Sequence, residues 1–129
     1  MSKDERTTGG SFSLEIPEYY NFSAQVDRYA EAHPHKAALL LVNEGGTSAT
    51  LTYAELAAYS NRIANALQAL GIKRGDKVLV LVPRGKEAYG IYLALLKLAV
   101  VVLPGSEMLR SKDIEYRVKH SGTTAVIGF

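Results

Sequence analysis

The feature that most constrains the fold of this chain is an unbroken run of β-branched and leucine residues, Lys77-Val-Leu-Val-Leu-Val82. Gly75-Asp76 precedes the run and Pro83 follows it, so its length suits a single strand. A strand with apolar side chains on both faces is typical of a parallel sheet that is covered on each side. The run therefore predicts an α/β fold.

The residues after this run alternate between helix and strand patterns. Residues 86–98 favour a helix with apolar side chains on most sides, and residues 100–102 return to strand chemistry. A further helix is expected over residues 111–120, ended by Gly122, before a strand at residues 124–129. Because crossovers between parallel strands are right-handed, this βαβαβ order predicts helices packed against a small parallel sheet.

Upstream of this unit, the sequence predicts a helix followed by a β-hairpin. Asn21 can cap a helix that Pro34 stops. Residues 37–43 and 49–51 then suit two short strands joined by turn chemistry at residues 44–47. The hairpin is expected to precede the parallel sheet.

A second helix of the first half has a clearly marked start and end. Thr52-Tyr-Ala-Glu55 matches the capping box, in which a hydroxyl and a carboxylate satisfy free backbone N–H groups. Gly71 is suited to a left-handed cap at the other end. The apolar residues expected on one face of this helix are Leu56, Ile63, Leu67 and Leu70.

Composition excludes several kinds of site. The 129 residues include no cysteine, which excludes disulfides, iron–sulfur clusters, zinc–thiolate sites and cysteine nucleophiles. The first ten residues are polar and unlike a secretory signal. The apolar segment 88–103 is interrupted by Lys97 and is shorter than the roughly 20 residues that span a bilayer. We therefore expect no membrane span and a cytoplasmic location.

Charge is distributed unevenly along the chain. Residues 1–70 carry five Lys/Arg against eight Asp/Glu, and residues 71–129 carry ten against five. The positive second half would favour an anionic ligand such as a nucleotide or coenzyme phosphate, and the alternative is a solvated surface of mixed charge. Nucleic-acid binding is not expected, because no basic stripe is interleaved with aromatic residues.

Several short segments, taken in their order and spacing, resemble the N-terminal region of AMP-forming acyl-CoA synthetases, an adenylate-forming superfamily. The resemblance covers about residues 20–129, and Val82-Pro-Arg84 is most similar to the acetyl- and medium-chain branch. The chain departs from the family at Ala99-Val100, where Gly-Ala is common, and the larger side chains are expected to alter packing. The segments are Tyr29-Ala-Glu-Ala-His-Pro34, Leu51-Thr-Tyr-Ala-Glu-Leu56, Asn61-Arg-Ile-Ala-Asn-Ala-Leu67, Leu70-Gly-Ile-Lys-Arg-Gly-Asp-Lys-Val78 and Leu95-Leu-Lys-Leu98 followed by Pro104.

The resemblance implies a function for a longer parent protein. Enzymes of this family activate a carboxylate with ATP to an acyl adenylate, using magnesium, and pass the acyl group to coenzyme A. Residues 1–20 would then be a flexible tail, and residues 21–129 the truncated N-terminal part of the large AMP-binding domain, within a larger adenylate-forming fold. The family's phosphate loop and its late catalytic lysine do not occur in these residues. The isolated chain is therefore expected to be inactive and to hold no cofactor.

Arg84 is the candidate binding residue, and Lys86 is its companion. Arg84 follows the carboxyl end of the strand at residues 77–82, where open α/β sheets bind ligands, and a guanidinium suits phosphate. We expect these residues to line the acyl or coenzyme A side of the cleft in the parent. The alternative is that both only solvate the loop and the start of the next helix.

Three other patterns are assigned no chemistry. Ser121-Gly-Thr-Thr124 lacks the second glycine, the proline and the lysine of the phosphate loop and is expected to join a helix to a strand. His33 and His35 lack a nearby third metal ligand. Asp27 and Glu31 share a helical face and are expected to be solvated rather than an acid–base pair.

A different class of function stays open. The chain could be a stand-alone, non-catalytic binding or interaction module rather than a piece of an enzyme. As an excised piece it would expose surfaces that meet the rest of the parent, so we expect self-association.

Overall fold

A computed structural model describes residues 15–46 and 48–128 and confirms the α/β fold class, with a hairpin followed by a βαβαβ unit. The first fourteen residues of the predicted tail lie outside the described residues, and residues 15–20 form no helix or strand. The elements are α1 (Phe22–Ala32), β1 (Ala37–Val42), β2 (Ser48–Thr52), α2 (Tyr53–Ala69), β3 (Lys77–Leu81), α3 (Lys86–Lys97), β4 (Val101–Pro104), α4 (Ser111–Ser121) and β5 (Ala125–Gly128).

The parallel sheet has β3 at its centre, in the order β4-β3-β5, and the antiparallel pair β1-β2 forms a separate two-stranded sheet. Val78 and Val80 are fully buried in a core that contains Ile91 and Leu95 of α3. Leu79, at 1% exposure, faces the other way, because successive side chains of a strand alternate between faces. A central strand that is covered on both faces explains the unbroken apolar run.

The cap of α1 also attaches this helix to α3. The Asn21 side chain accepts a hydrogen bond from the Ser23 N–H at 2.9 Å and donates to the Leu96 carbonyl at 2.8 Å. The buried Ser23 hydroxyl donates to the Leu93 carbonyl at 2.7 Å. The predicted cap is therefore present, and it has a tertiary role as well as a local one.

Both predicted ends of α2 are observed. The Glu55 N–H donates to the Thr52 hydroxyl at 3.2 Å, and the Thr52 N–H donates to the Glu55 carboxylate at 2.8 Å. Gly71 has a φ of 92°, in the left-handed region. The prediction that Leu70 lies on the apolar face is wrong, since this side chain is 80% exposed. Leu70 is the C-cap, where the chain already turns away from the helix.

The side chain of Lys97 connects α1, α2 and α3 through hydrogen bonds. The Lys97 ammonium on α3 donates to Asp27 of α1 at 2.8 Å and to Asn61 of α2 at 2.6 Å. The Lys97 side chain is 13% exposed and that of Asp27 36% exposed. Asp27 is thus a partly buried ion-pair partner, and the expectation that it belongs to a solvated face is wrong, because α3 packs beside it.

Close packing of α2 on α3 depends on Gly90. A Cβ atom placed on this residue would lie 2.6 Å from the Tyr59 ring and 2.9 Å from Ile63 Cδ1. Both distances are below van der Waals contact, so a glycine lets the two helices approach.

Among residues 15–46 and 48–128, every helix is too short or too polar to span a bilayer.

Candidate functional site

The carboxyl ends of β3 and β4 border an open crevice of about 740 Å³, which we call the carboxyl-edge crevice. Open α/β sheets bind ligands at this edge. Parallel pairing places Val80 beside Pro104, so the residues after both strands meet there. The crevice is lined by Val82, Pro83, Arg84, Ala88, Tyr92, Pro104, Gly105, Ser106, Glu107 and Met108.

The residues on either side of Arg84 explain its position at the end of β3. Pro83 has no N–H to donate, so it suits the end of β3, and Gly85 is the N-cap from which α3 begins. Arg84 lies between them, is exposed and forms no hydrogen bond or ion pair with another residue of the described ranges. Its planar guanidinium can therefore bind and orient a phosphate or carboxylate.

Arg84 also borders a second depression, the hairpin groove, of about 640 Å³ between β1 and the start of α3. Lys86 lines this groove but not the carboxyl-edge crevice. It also lines a smaller cavity of about 300 Å³ with Tyr59 and Arg62. The structure thus brings the two predicted residues together only on the hairpin side, and Arg84 alone reaches both depressions.

Sequence reasoning did not identify the crevice residues that follow β4 and those on α3. Tyr92 and Met108 provide apolar lining, and Glu107 provides a carboxylate. The residues after β4 could have been found from the sequence. The strands predicted at residues 77–82 and 100–102 are parallel, and parallel strands bring their carboxyl ends to one edge of the sheet. Tyr92 could not be placed in the same way, since its face of α3 depends on packing.

The segment Ser121-Gly-Thr-Thr124 is an ordinary connection between α4 and β5. The N–H groups of Gly122 and Thr123 both donate to the Val118 carbonyl, at 3.1 and 3.2 Å. The Thr124 N–H donates to the Lys77 carbonyl at 2.8 Å. These three N–H groups are used within the protein, and the segment joins a helix to a strand, as the sequence predicted.

His33 lies against an aromatic side chain of α1. The His33 ring lies 4.6 Å from the Tyr29 ring, and Tyr29 in turn contacts the Tyr53 ring at 4.6 Å between centroids. The Lys36 ammonium donates to the Tyr29 hydroxyl at 2.6 Å, and this hydrogen bond raises the pKa of Lys36. In residues 15–46 and 48–128, no three His, Asp or Glu side chains group in a way that could hold a metal ion.

Similarity to known proteins extends over most of the chain. The family model described as AMP-binding enzyme matches residues 26–128. The chain is 44% identical over 114 residues to an acyl–CoA ligase of Bacillus subtilis named YtcI, covering 88% of this chain and 21% of the relative. It is 33% identical over 123 residues to the human mitochondrial acyl-coenzyme A synthetase ACSM3, covering 90% and 21%.

Solved structures show the same fold. The N-terminal subdomain of Klebsiella oxytoca NpsA matches with a TM-score of 0.75 and 25% identity, over 84% of this chain and 27% of that one. A fatty acyl CoA synthetase of Mycobacterium tuberculosis matches with a TM-score of 0.71 and 30% identity, over 82% and 20%. The chain spans about a fifth of the length of the curated relatives that it matches.

Proposed function

The chain belongs to the AMP-binding enzyme family, and from this we propose that it is the N-terminal part of the AMP-binding domain of an acid–CoA ligase. The whole enzyme activates a carboxylate with ATP to an acyl adenylate and then transfers the acyl group to the thiol of coenzyme A. The match of the family model to residues 26–128 carries the proposal, and the acyl–CoA ligase relatives support it.

Magnesium, which family enzymes use with ATP, is usually bound through one or two carboxylates together with the phosphates of the nucleotide. Among residues 15–46 and 48–128, no three His, Asp or Glu side chains group in a way that could hold the ion by themselves. We assign the metal to no residue of this chain.

Arg84 is proposed to bind an anionic group of the acid or of coenzyme A. The side chain borders both the carboxyl-edge crevice and the hairpin groove, so one guanidinium can orient a ligand at the junction of the two. Lys86 adds a positive charge on the hairpin side only. We therefore propose the larger role for Arg84 and a supporting one for Lys86.

The isolated chain is proposed to be catalytically inactive. The family's phosphate loop, of the form Ser/Thr-Gly-Thr-Thr-Gly-x-Pro-Lys, does not occur in the sequence. The segment most like it is Ser121-Gly-Thr-Thr124, in which the N–H groups of residues 122–124 donate to carbonyls within the protein. ATP-dependent hydroxamate formation by the purified chain tests this point. Turnover above the background without enzyme would contradict it.

Steady-state kinetics of the full-length parent test the role of Arg84. In Arg84→Ala, we expect kcat/KM for coenzyme A or for the acid to fall about tenfold or more, because a hydrogen bond to a charged group contributes about 1.5–3 kcal/mol. Arg117→Ala is the matched control, since Arg117 is exposed on α4 and lines neither depression. Unchanged kinetics for both substrates in Arg84→Ala would refute the role.

A further inference from the structure

A separate cavity of about 440 Å³, the amino-edge cavity, borders the amino ends of the parallel strands. Arg74 lies shortly before β3 and Ala99 shortly before β4, and both line it. It therefore lies at the opposite edge of the sheet from the carboxyl-edge crevice, with which it shares no lining residue. Its lining is mainly polar, and a volume of this size suits a small-molecule ligand.

A well-fixed turn presents Arg74 to this cavity. The Asp76 N–H donates to the Lys73 carbonyl at 3.1 Å, and the Lys73 N–H donates to the Asp76 carboxylate at 2.9 Å. The Gly75 N–H donates to the Ala99 carbonyl at 3.1 Å, which fastens the turn to the end of α3. The backbone beneath Arg74 is thus held in place before any ligand binds.

Two guanidinium groups in the cavity oppose a single carboxylate. Arg28 projects from α1, and Glu18 is the one acidic residue among the described lining residues. Neither Arg28 nor Arg74 forms an ion pair with a residue of the described ranges. The neighbouring Asp27 carboxylate is already bound to Lys97 at 2.8 Å. The cavity is consequently positive and has free donors for an anion.

Two tyrosines supply flat apolar surfaces beside these charges. Tyr19 is 88% exposed and Tyr20 is 60% exposed, although both are large aromatic side chains. Asn21, between the tyrosines and α1, already uses its side chain within the protein, since its oxygen accepts from Ser23 and its nitrogen donates to Leu96. The contacts available to a ligand include the aromatic rings, the guanidinium groups and the Gln25 amide.

We propose that the amino-edge cavity binds a nucleotide, with its phosphate held by Arg28 and Arg74 and its base stacked on Tyr19 or Tyr20. One guanidinium can donate two parallel hydrogen bonds to a phosphate, and aromatic side chains stack on bases of any identity. The site does not depend on the proposed ligase function, because Arg84 and Lys86 do not line it.

Calorimetric titration of the purified 129-residue chain with AMP at low salt tests the proposal. We expect saturable binding that weakens about tenfold or more in Arg28→Gln and in Arg74→Gln, because each loses a charge-assisted hydrogen bond. Arg117→Gln removes an exposed arginine outside the cavity and is the matched control. Glu18→Gln removes the opposing charge, so it is expected to tighten binding.

Separate titrations with adenosine and with inorganic phosphate identify what is recognised. Both are expected to bind at least about tenfold more weakly than AMP, since each lacks one of the two contacts. Circular dichroism establishes that every variant is folded. Absence of saturable binding, equal affinity for phosphate and AMP, or unchanged affinity in folded Arg28→Gln and Arg74→Gln would overturn the proposal.

Discussion

Among the described residues, Ala99 is the one that has a positive φ, 52°, without being glycine. It follows the C-cap of α3, where the Val100 N–H donates to the Leu95 carbonyl at 3.0 Å and the Ala99 N–H to the Leu96 carbonyl at 3.1 Å. These two bonds form a Schellman motif, whose left-handed residue is usually glycine. The expected change in packing at Ala99-Val100 is therefore a backbone cost at Ala99, whereas the Val100 side chain is buried in the core.

Ala99→Gly is expected to stabilise the protein by about 0.5–1 kcal/mol, because relief of left-handed strain exceeds the entropy cost of glycine in the unfolded chain. Ala58→Gly is the matched control, since Ala58 is exposed inside α2 and glycine there should destabilise by about 0.5–1 kcal/mol. Urea unfolding measures both. A loss of stability in Ala99→Gly equal to that in Ala58→Gly would contradict the argument.

At the scale of the element, α2 shows how a helix can be defined by its own residues. The capping box satisfies N–H groups at its start, and Gly71 in the left-handed conformation allows the Ile72 N–H to reach the Leu67 carbonyl at 3.0 Å. The hydrogen bonds from the Thr52 backbone N–H and hydroxyl lower the pKa of the Glu55 carboxyl below its ordinary value of 4.5. The folded start of the helix therefore favours the ionised form of Glu55.

Protonation of Glu55 should remove its contribution to stability. Because the pKa is lower in the folded state, this contribution is present above the ordinary value of 4.5 and is lost as the pH falls through the folded value. Glu55→Gln should be less stable than the unsubstituted chain near pH 7. This difference in the free energy of unfolding should shrink towards about pH 3. Urea unfolding at several pH values measures it, and a constant difference would exclude this role.

At the scale of the whole molecule, both edges of the parallel sheet carry exposed apolar side chains. Val101 on β4 is 49% exposed and Val126 on β5 is 48% exposed. Neither strand has a second partner among the described residues, since β3 lies between them. An apolar sheet edge with free backbone groups is a template for pairing with another chain.

We therefore expect the isolated chain to self-associate with increasing concentration. Val126→Lys should reduce this association, because a charged side chain on an edge strand opposes pairing. Leu70→Lys is the matched control, since Leu70 is 80% exposed but lies at the end of α2. Sedimentation velocity across a concentration series measures the effect, with circular dichroism for folding. A monomer at every concentration, or equal reduction by both substitutions, would contradict this prediction.

The sequence alone determined the type and order of the elements and the helix caps at Asn21, Thr52, Gly71 and Gly122. These features depend on contacts within a few positions along the chain, or on the unbroken apolar run of a strand that is buried on both faces. The match of several segments to one family also identified the larger fold. That information does not include which side chains meet across the fold.

Only the tertiary structure decided which side chains are in contact. Lys97 binds Asp27, which is 70 positions away in the sequence. Arg28 and Arg74 line the same cavity, although one belongs to a helix and the other to a distant turn. Arg84 could be placed at the edge of the sheet from the sequence, but its position between two depressions depends on where the hairpin packs. The physical reason is that local hydrogen bonds and strand pattern select the conformation of a segment, whereas burial selects how segments pack.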